Sequence, residues 1–436
     1  MASPIINKNK FSQTKIRKDA MKIIESAYEA IDIQKTVSKR FVVDGDILKV
    51  SNASLEKHFH LDDYKNIFVI GFGKGSFAAV SKMSDILKNN LTSAVSLDVK
   101  DSFRPKKANN KVRAYWGTHP QPSIKNIKAT KKIVSIAKDA GKDDLIIYFI
   151  GGGGSSLLCG SLNELKYAKT LFNNLTRKGA TIDEINVVRK HISEVKGGNL
   201  AKFTYPAQSL SLIVSDVCGN PLEVIASGPT IYDKTNVEDA IIVLKKYDIS
   251  IENIFFVETP KDKHYFDRCE YFLFACDEDA VMAMISRARA LGYKASIGSL
   301  ALVGEAKSAL LPFVKKIKSN EVIICAGETT VKIIGKGKGG RNQEACLSII
   351  NQSQEGNFDI SKILVSSFAS DGFDNTPVAG AIADVMTLKK TISKKINSFD
   401  YLKNNDSYSF FQKTGDFLRV ERKAFNVADL MLIIKE

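Results

Sequence analysis

The sequence predicts an α/β protein built on largely parallel sheets covered by helices. Three observations predict it. Short apolar runs that fit buried strands alternate with segments of helical spacing along the chain. Several of these runs end in glycine or in Ser-Asp, so the polar and glycine-rich segments fall at the carboxyl ends of strands, where open α/β sheets bind ligands. And 436 residues is a length for two or three domains.

The elements follow in order. The basic start, MASPIINKNKFSQTKIRKDA, lacks the apolar core of a secretory signal, and Asp19 and Glu25 fall within an amphipathic pattern, so an ordinary first helix is expected. KNIFVIGFG (65–73) reads as a strand and glycine turn, and GSFAAVSKMSDILKNN continues as a helix. DDLIIYFIGGGG repeats that pattern, and SLSLIVSDVCGN (210–220) is a third strand, ending in Ser-Asp. After a less regular stretch, YFLFACDEDAVMAMISRARALGY is another strand and helix. NEVIICAGETTVKIIGKG reads as two β segments, and SKILVSSFASDGFDN as a strand ending in Ser-Asp-Gly. The irregular region near 240–268 carries a proline, charges and weak periodicity, so the domains are expected to be 1–255 and 256–436.

Composition narrows the function classes. The chain is 44% hydrophobic and 25% charged, with no apolar run of membrane-spanning length. Lys and Arg total 63 against 48 Asp and Glu, a formal charge of +15. The lysines are scattered and no nucleic-acid motif accompanies them, so the field is assigned to anionic small molecules, with no nucleic acid or membrane partner expected. None of the six cysteines forms a C-x-x-C pair, and several lie in apolar runs, as reduced residues of a cytoplasmic protein do. The oligomeric state stays open between monomer and homodimer.

Six segments carry candidate chemistry. GFGKGS (71–76) lies between a strand and a helix, where backbone N–H groups and Lys74 suit an anion; its spacing is neither that of a Walker A loop nor of a G-x-G-x-x-G fingerprint. In GGGGSS, Gly152, Gly153 and Gly154 with Ser155 and Ser156 are expected to form a nest of donors for an anion. NVVRKHISEVKGGNLAK (186–202) reads as a helix whose i, i+4, i+7 spacing gathers Arg189, Ser193 and Lys196 on one face. SDVCGNPLEVIASGPT places Asp216 just past a strand, a position suited to a Mg²⁺ ligand. GETTVKIIGKGKGGRNQE holds Glu328, Arg341 and Asn342, with the arginine at a helix start. SDGFDNTPVAGAIAD sets Asp371 and Asp374 three apart in a turn, as a metal-facing pair.

Taken in order, GKGS, GGGGSSLL, NVVRKHISEVKGGNLA, SDVCGNPLEVIASGPT, GETTVKIIGKGKGGRNQE and SDGFDNTPVAGAIAD resemble the motifs of glycerate 2-kinases with a C-terminal MOFRL domain. The resemblance implies two α/β domains, the larger N-terminal one Rossmann-like, with an active-site cleft between them. It implies phosphorylation of the 2-hydroxyl of D-glycerate by ATP with Mg²⁺. It places the family's catalytic lysine on Lys74 and its catalytic arginine on Arg341. By their chemistry, the GGGGSS residues, Arg189, Ser193, Lys196, Glu328 and Asn342 are then expected to hold substrate or phosphate, and Asp216 and Asp371 the metal.

Two stretches depart from the family pattern. A Gly- and Thr-rich segment before the last strand is replaced by VERKAFNVADL (420–430), of which only NVADL matches. The usual GHP.PD stands as GTHPQPS (117–123), with Ser123 in place of the aspartate. The rival readings are a kinase for another small hydroxy acid, a hydroxypyruvate reductase, and a non-catalytic anion-binding regulator. The reductase should carry a dinucleotide fingerprint, which GFGKGS lacks, and the regulator should have lost Lys74, Arg341 or the aspartates.

Overall fold

The computed structural model of the chain describes residues 3–100, 103–104, 109–217 and 219–436; Cys218 lies outside them. The chain forms two compact units: a first of residues 33–275, and a second of 1–32 with 276–436. A single boundary after residue 255 was expected. Instead the chain passes between units at 32/33 and 275/276, so the predicted strand-and-helix pair 271–293 is divided between them.

The first unit opens with an antiparallel meander, β1 (Phe41–Asp44), β2 (Ile47–Ser51) and β3 (Glu56–His60). Its first turn is the two-residue Gly45-Asp46, with Gly45 at φ 63°, the glycine-first signal of a tight hairpin. Then come β4 (Asn66–Phe72), β5 (Ser93–Val99), β6 (Val112–Gly117), β7 (Asp144–Ile150), β8 (Gln208–Val214) and β9 (Cys269–Ala275). They form one sheet in the order β6-β5-β4-β7-β8-β9, every pairing parallel. Every residue of β7 is buried, as a central strand covered on both faces must be. The order reverses direction between β4 and β7, which is the switch point where a doubly wound sheet opens a crevice at its carboxyl edge. GFGKGS follows β4 and GGGGSS follows β7, so both turns stand at that point.

The second unit holds β10 (Lys294–Leu302), β11 (Glu321–Gly327), β12 (Ile363–Ala369), β13 (Gly380–Asp384), β14 (Phe417–Leu418) and β15 (Asp429–Lys435), in the order β10-β11-β15-β12-β13-β14. Only β10 and β11 run parallel; the other pairings are antiparallel. The expectation of largely parallel sheets therefore applies to the first unit, and the second sheet is mixed. The cause is the last strand, which inserts between β11 and β12 in the opposite direction. Only one β segment forms in the predicted pair after residue 320, because 334–338 is tied instead to Asn404, Asn405 and Asp406 by N–H donation to their side chains. The first helix, Lys15–Ala30, belongs to this unit and buries Arg17 against Asp384 and Asp416.

Candidate active site

At the switch point the two glycine turns lock backbone to backbone. Gly151 N–H donates to Phe72 O at 2.8 Å, and Lys74 N–H donates to Gly152 O at 2.9 Å. A Cβ on Gly151 would stand 2.9 Å from Lys74 O, and one on Gly154 would stand 2.7 Å from the Ala226 Cβ. The glycine run is thus explained first by close approach of neighbouring chain. Lys74 itself is half-buried, fixed through its backbone between the two turns.

The N–H groups at the start of the Ser76–Leu87 helix already have an anion. Asp98, fully buried at the end of β5, accepts from Gly75 N–H at 3.2 Å and Phe77 N–H at 3.0 Å. The helix start therefore satisfies its orphan donors with the chain's own carboxylate. A dinucleotide fold uses an acidic residue at this place for the ribose; here it is consumed.

The 186–202 helix ends earlier than its spacing predicts. It runs Ile182–Lys190, and a second short helix, Asn199–Thr204, follows. Ser193 Oγ accepts Val195 N–H at 3.3 Å, a local bond that competes with helix continuation. Lys190 meets Asp233 at 3.1 Å, and the buried His191 ring lies against Val257 O and Thr235 Oγ1. Arg189, Ser193 and Lys196 consequently do not share one helical face. Lys196 is buried in an ion pair with Glu164 and also donates to Leu158 O at 2.7 Å. Ser193 is fully buried beneath it, 3.4 Å from the Lys196 ammonium.

Arg189 is held differently. Its guanidinium lies over the Phe172 ring at 4.6 Å, and Nη1 donates to Asn186 Oδ1 at 3.4 Å. It has no carboxylate partner among the described residues, and loss of hydration lowers its guanidinium pKa to about 10. Asn186 Oδ1 also accepts from Ser227 Oγ at 3.2 Å, and Ser227 Oγ bonds Ser155 Oγ at 2.9 Å. This chain joins three separate motifs. Ser227 sits in a strained turn, with Ala226 and Ser227 at φ 53° and 60°. Ser155, Ser156, Arg189 and Lys196 line a pocket, partly open to solvent, walled by Pro120, Pro122 and Phe172.

In the second unit, Arg341 opens the Arg341–Gln354 helix. Its Nε bonds Asp429, and Nη2 donates to Glu328 Oε1 at 2.7 Å. Burial pulls its pKa down, but the two carboxylates more than offset that and raise it. Asp429 is buried, and desolvation pushes its carboxyl up to about 7 against the pull of Arg341. Register explains the meeting: Asp429 pairs with Gly327 and with Ala369, so the start of β15 lies at the carboxyl ends of β11 and β12. Asn342 is buried, donating to Asp374 at 3.2 Å and accepting from Ser367 at 2.5 Å. The expected pair of Asp371 and Asp374 separates. Asp374 turns inward and caps the same helix through Asn342 and Gln343 N–H, while Asp371 stays half-exposed and accepts from Phe373 N–H.

The comparisons with known proteins decide the family. The chain is 35% identical to D-glycerate 2-kinase of Thermotoga maritima over 73% of its length and 79% of that protein. It is 34% identical to glycerate 2-kinase of Pyrococcus horikoshii over 96% of its length and 97% of that protein. The chain belongs to the glycerate 2-kinase family. Residues 19–255 match a domain of unknown function (DUF4147), and 321–429 match the MOFRL family. The crystal structure of the Thermotoga maritima glycerate kinase superposes with a TM-score of 0.82 at 29% identity, covering 97% of this chain and 99% of that one. A Pyrococcus horikoshii protein gives a TM-score of 0.78 at 33% identity, covering 97% and 98%.

Within this glycerate 2-kinase fold, sequence reasoning missed Asp429, Ser227, Asn186 and the Pro120–Pro122 wall. Asp429 lies in the NVADL segment that keeps the family pattern, and Ser227 lies in the ASGP turn, so both had a signal. Among the described residues no group of three or more His, Cys, Asp or Glu could hold a metal by itself. Asp216, half-exposed just past β8, and Asp371, just past β12, lie in different units. A Mg²⁺ shared with nucleotide phosphates needs only one or two protein carboxylates, so either aspartate taken alone has the chemistry for that role, and neither belongs to an all-protein cage.

Proposed function

We propose that the protein transfers the γ-phosphoryl group of ATP to the 2-hydroxyl of D-glycerate, giving 2-phosphoglycerate and ADP. The observation that carries this reading is the likeness to glycerate 2-kinases over almost the whole chain, at a level that includes both units. Phosphoryl transfer asks mainly for positioning and for charge to be offset. Lys74, pinned between the interlocked turns, and Arg341, oriented by Asp429 and Glu328, are the cations assigned to the nucleotide phosphates. Asp216 and Asp371, each in its own unit, are the carboxylates assigned to Mg²⁺, which when bound would offset phosphate charge.

Hydroxypyruvate reduction gains no support from the site. The N–H groups that would receive a dinucleotide pyrophosphate are occupied by the buried Asp98. The free cysteines Cys159, Cys276, Cys325 and Cys346 are buried, and this supports a reducing, cytoplasmic setting. Among the described residues no helix is long and apolar enough to cross a membrane.

The test is an ATP-dependent assay on D-glycerate with Mg²⁺ that resolves 2- from 3-phosphoglycerate. The expected product is 2-phosphoglycerate. ATP consumption on another hydroxy acid, with none on glycerate, would replace the substrate and keep the kinase; no ATP use on any hydroxy acid would sink both.

A further inference from the structure

The pocket of the first unit has a charge balance that selects its ligand. Its buried ammonium, Lys196, is neutralised by Glu164. Its other cation at depth, Arg189, is not: Nε and Nη2 have no partner among the described residues, and Nη1 reaches only an amide oxygen. Lys169 lines the same pocket but is exposed. The walls near Arg189 are apolar, from Pro120, Pro122, Phe172 and Ile192. Two hydroxyls, of Ser155 and Ser156, and the exposed Gln121 make up the rest of the polar lining beside the pocket's buried ion pair.

One uncompensated arginine against an apolar wall matches one negative charge. A carboxylate takes a guanidinium through two parallel N–H···O bonds, and Nε with Nη2 is an edge that can present them. A nucleoside triphosphate carries several charges and would leave most of them unmet here. We propose that this pocket, and not the nucleotide phosphates' site, receives the carboxylate of the hydroxy-acid substrate, with Arg189 as the residue that selects an acid over a neutral analogue. The proposal rests on the kinase reading above and makes it specific. Ser155 follows directly on the turn that is locked to Lys74, so the hydroxyl end of the pocket adjoins that turn. The bond chain Ser155–Ser227–Asn186–Arg189 makes the hydroxyl end and the carboxylate end of the pocket one connected unit.

The experiment measures D-glycerate and glyceramide in parallel on the full chain, wild type and Arg189→Gln. Calorimetry gives binding of each without nucleotide, and steady-state assays give KM for D-glycerate and for ATP. The wild type should bind D-glycerate well above glyceramide. In Arg189→Gln, D-glycerate binding should weaken about 10- to 100-fold, as expected for a lost charge-assisted pair. The preference for acid over amide should disappear, and KM for ATP should stay within about twofold, the size of a bystander effect. Arg189→Lys, which keeps the charge without the fork, should recover part of the preference and guards against a folding artefact. A rise in KM for ATP with D-glycerate binding unchanged would overturn the proposal, as would an Arg189→Gln enzyme that still prefers the acid. Wild-type protein that binds D-glycerate through Arg189 but never consumes ATP would instead sink the kinase reading and leave the pocket assignment standing.

Discussion

Two arginines, one in each unit, are held in opposite ways. Arg189 lies on an aromatic ring with an amide oxygen beside it and no carboxylate among the described residues. Arg341 is gripped by two carboxylates, one of them buried. The first has lost water and gained little in return, so an anion that reaches it is bound for its charge. The second has its charge already balanced, so an incoming anion gains less from charge and more from orientation. Nη1 of Arg341 has no partner among the described residues, and the direction of that N–H is set by the bonds at Nε and Nη2. A loosely held cation suits ground-state binding, and a braced one suits charge that develops only at the transition state.

The contrast is broken most directly by comparing kinetic constants. Arg341→Ala should lower kcat by about 10²- to 10³-fold, the usual loss on removing a preorganised donor, with little change in KM for D-glycerate. Arg189→Gln should show the reverse split, as its effect falls on substrate binding. An Arg341→Ala enzyme with normal kcat and raised KM alone would erase the distinction.

Asp429 sharpens the same point with pH. Its carboxyl in the folded protein titrates at about 7, well above the ordinary value, because burial outweighs the pull of Arg341. As pH falls through about 7, the carboxyl gains a proton and its hold on Nε weakens. Turnover should fall on that acid limb. Asp429→Asn should lower kcat by about tenfold, within the range for losing a charged hydrogen bond, and remove the inflection. The stability term has the opposite sign. A carboxyl with a raised folded pKa binds more protons folded than unfolded, so stability falls as pH rises from the unfolded value towards 7. Urea midpoints should show that decline in the wild type and less of it in Asp429→Asn; a variant with an unchanged kcat–pH curve would remove Asp429 as the brace.

How far the sequence reaches follows the same division. The parallel sheet, its glycine turns and the place of Lys74 were legible, because strand, turn and helix are contiguous in the chain. The grip on Arg341 was not, since Asp429 is 88 residues away and meets it only through the insertion of β15 between β11 and β12. Apolar periodicity carries no strand direction. Helical spacing overreached at 186–202, where Ser193 makes a local bond and Lys196 turns to Glu164. The glycine run was read as a nest for a ligand anion, and the structure uses it first for the approach of Lys74 and Ala226.

The smallest expected effect concerns the departure at GTHPQPS. Ser123 is the N-cap of the Ile124–Asp139 helix, and its N–H donates to Asn126 Oδ1 at 3.0 Å. Serine and aspartate serve nearly equally as N-caps, since either side-chain oxygen can take an orphan N–H. The replacement keeps the cap position but not every bond, because the Ser123 hydroxyl donates to Asn126 Oδ1 at 3.1 Å and a carboxylate has no proton to donate. Ser123→Asp should cost about 1 kcal/mol, the net worth of the hydroxyl bond to Asn126, read from urea unfolding. It sits next to Pro122 on the pocket wall, so it is also a probe of that wall. An added carboxylate there that faced the pocket would compete for Arg189 and raise KM for D-glycerate. If it caps the helix instead, KM should be unchanged. A severalfold rise would mean that residue 123 tunes the charge of the pocket, and Arg189 would no longer be the single determinant of its preference for an acid.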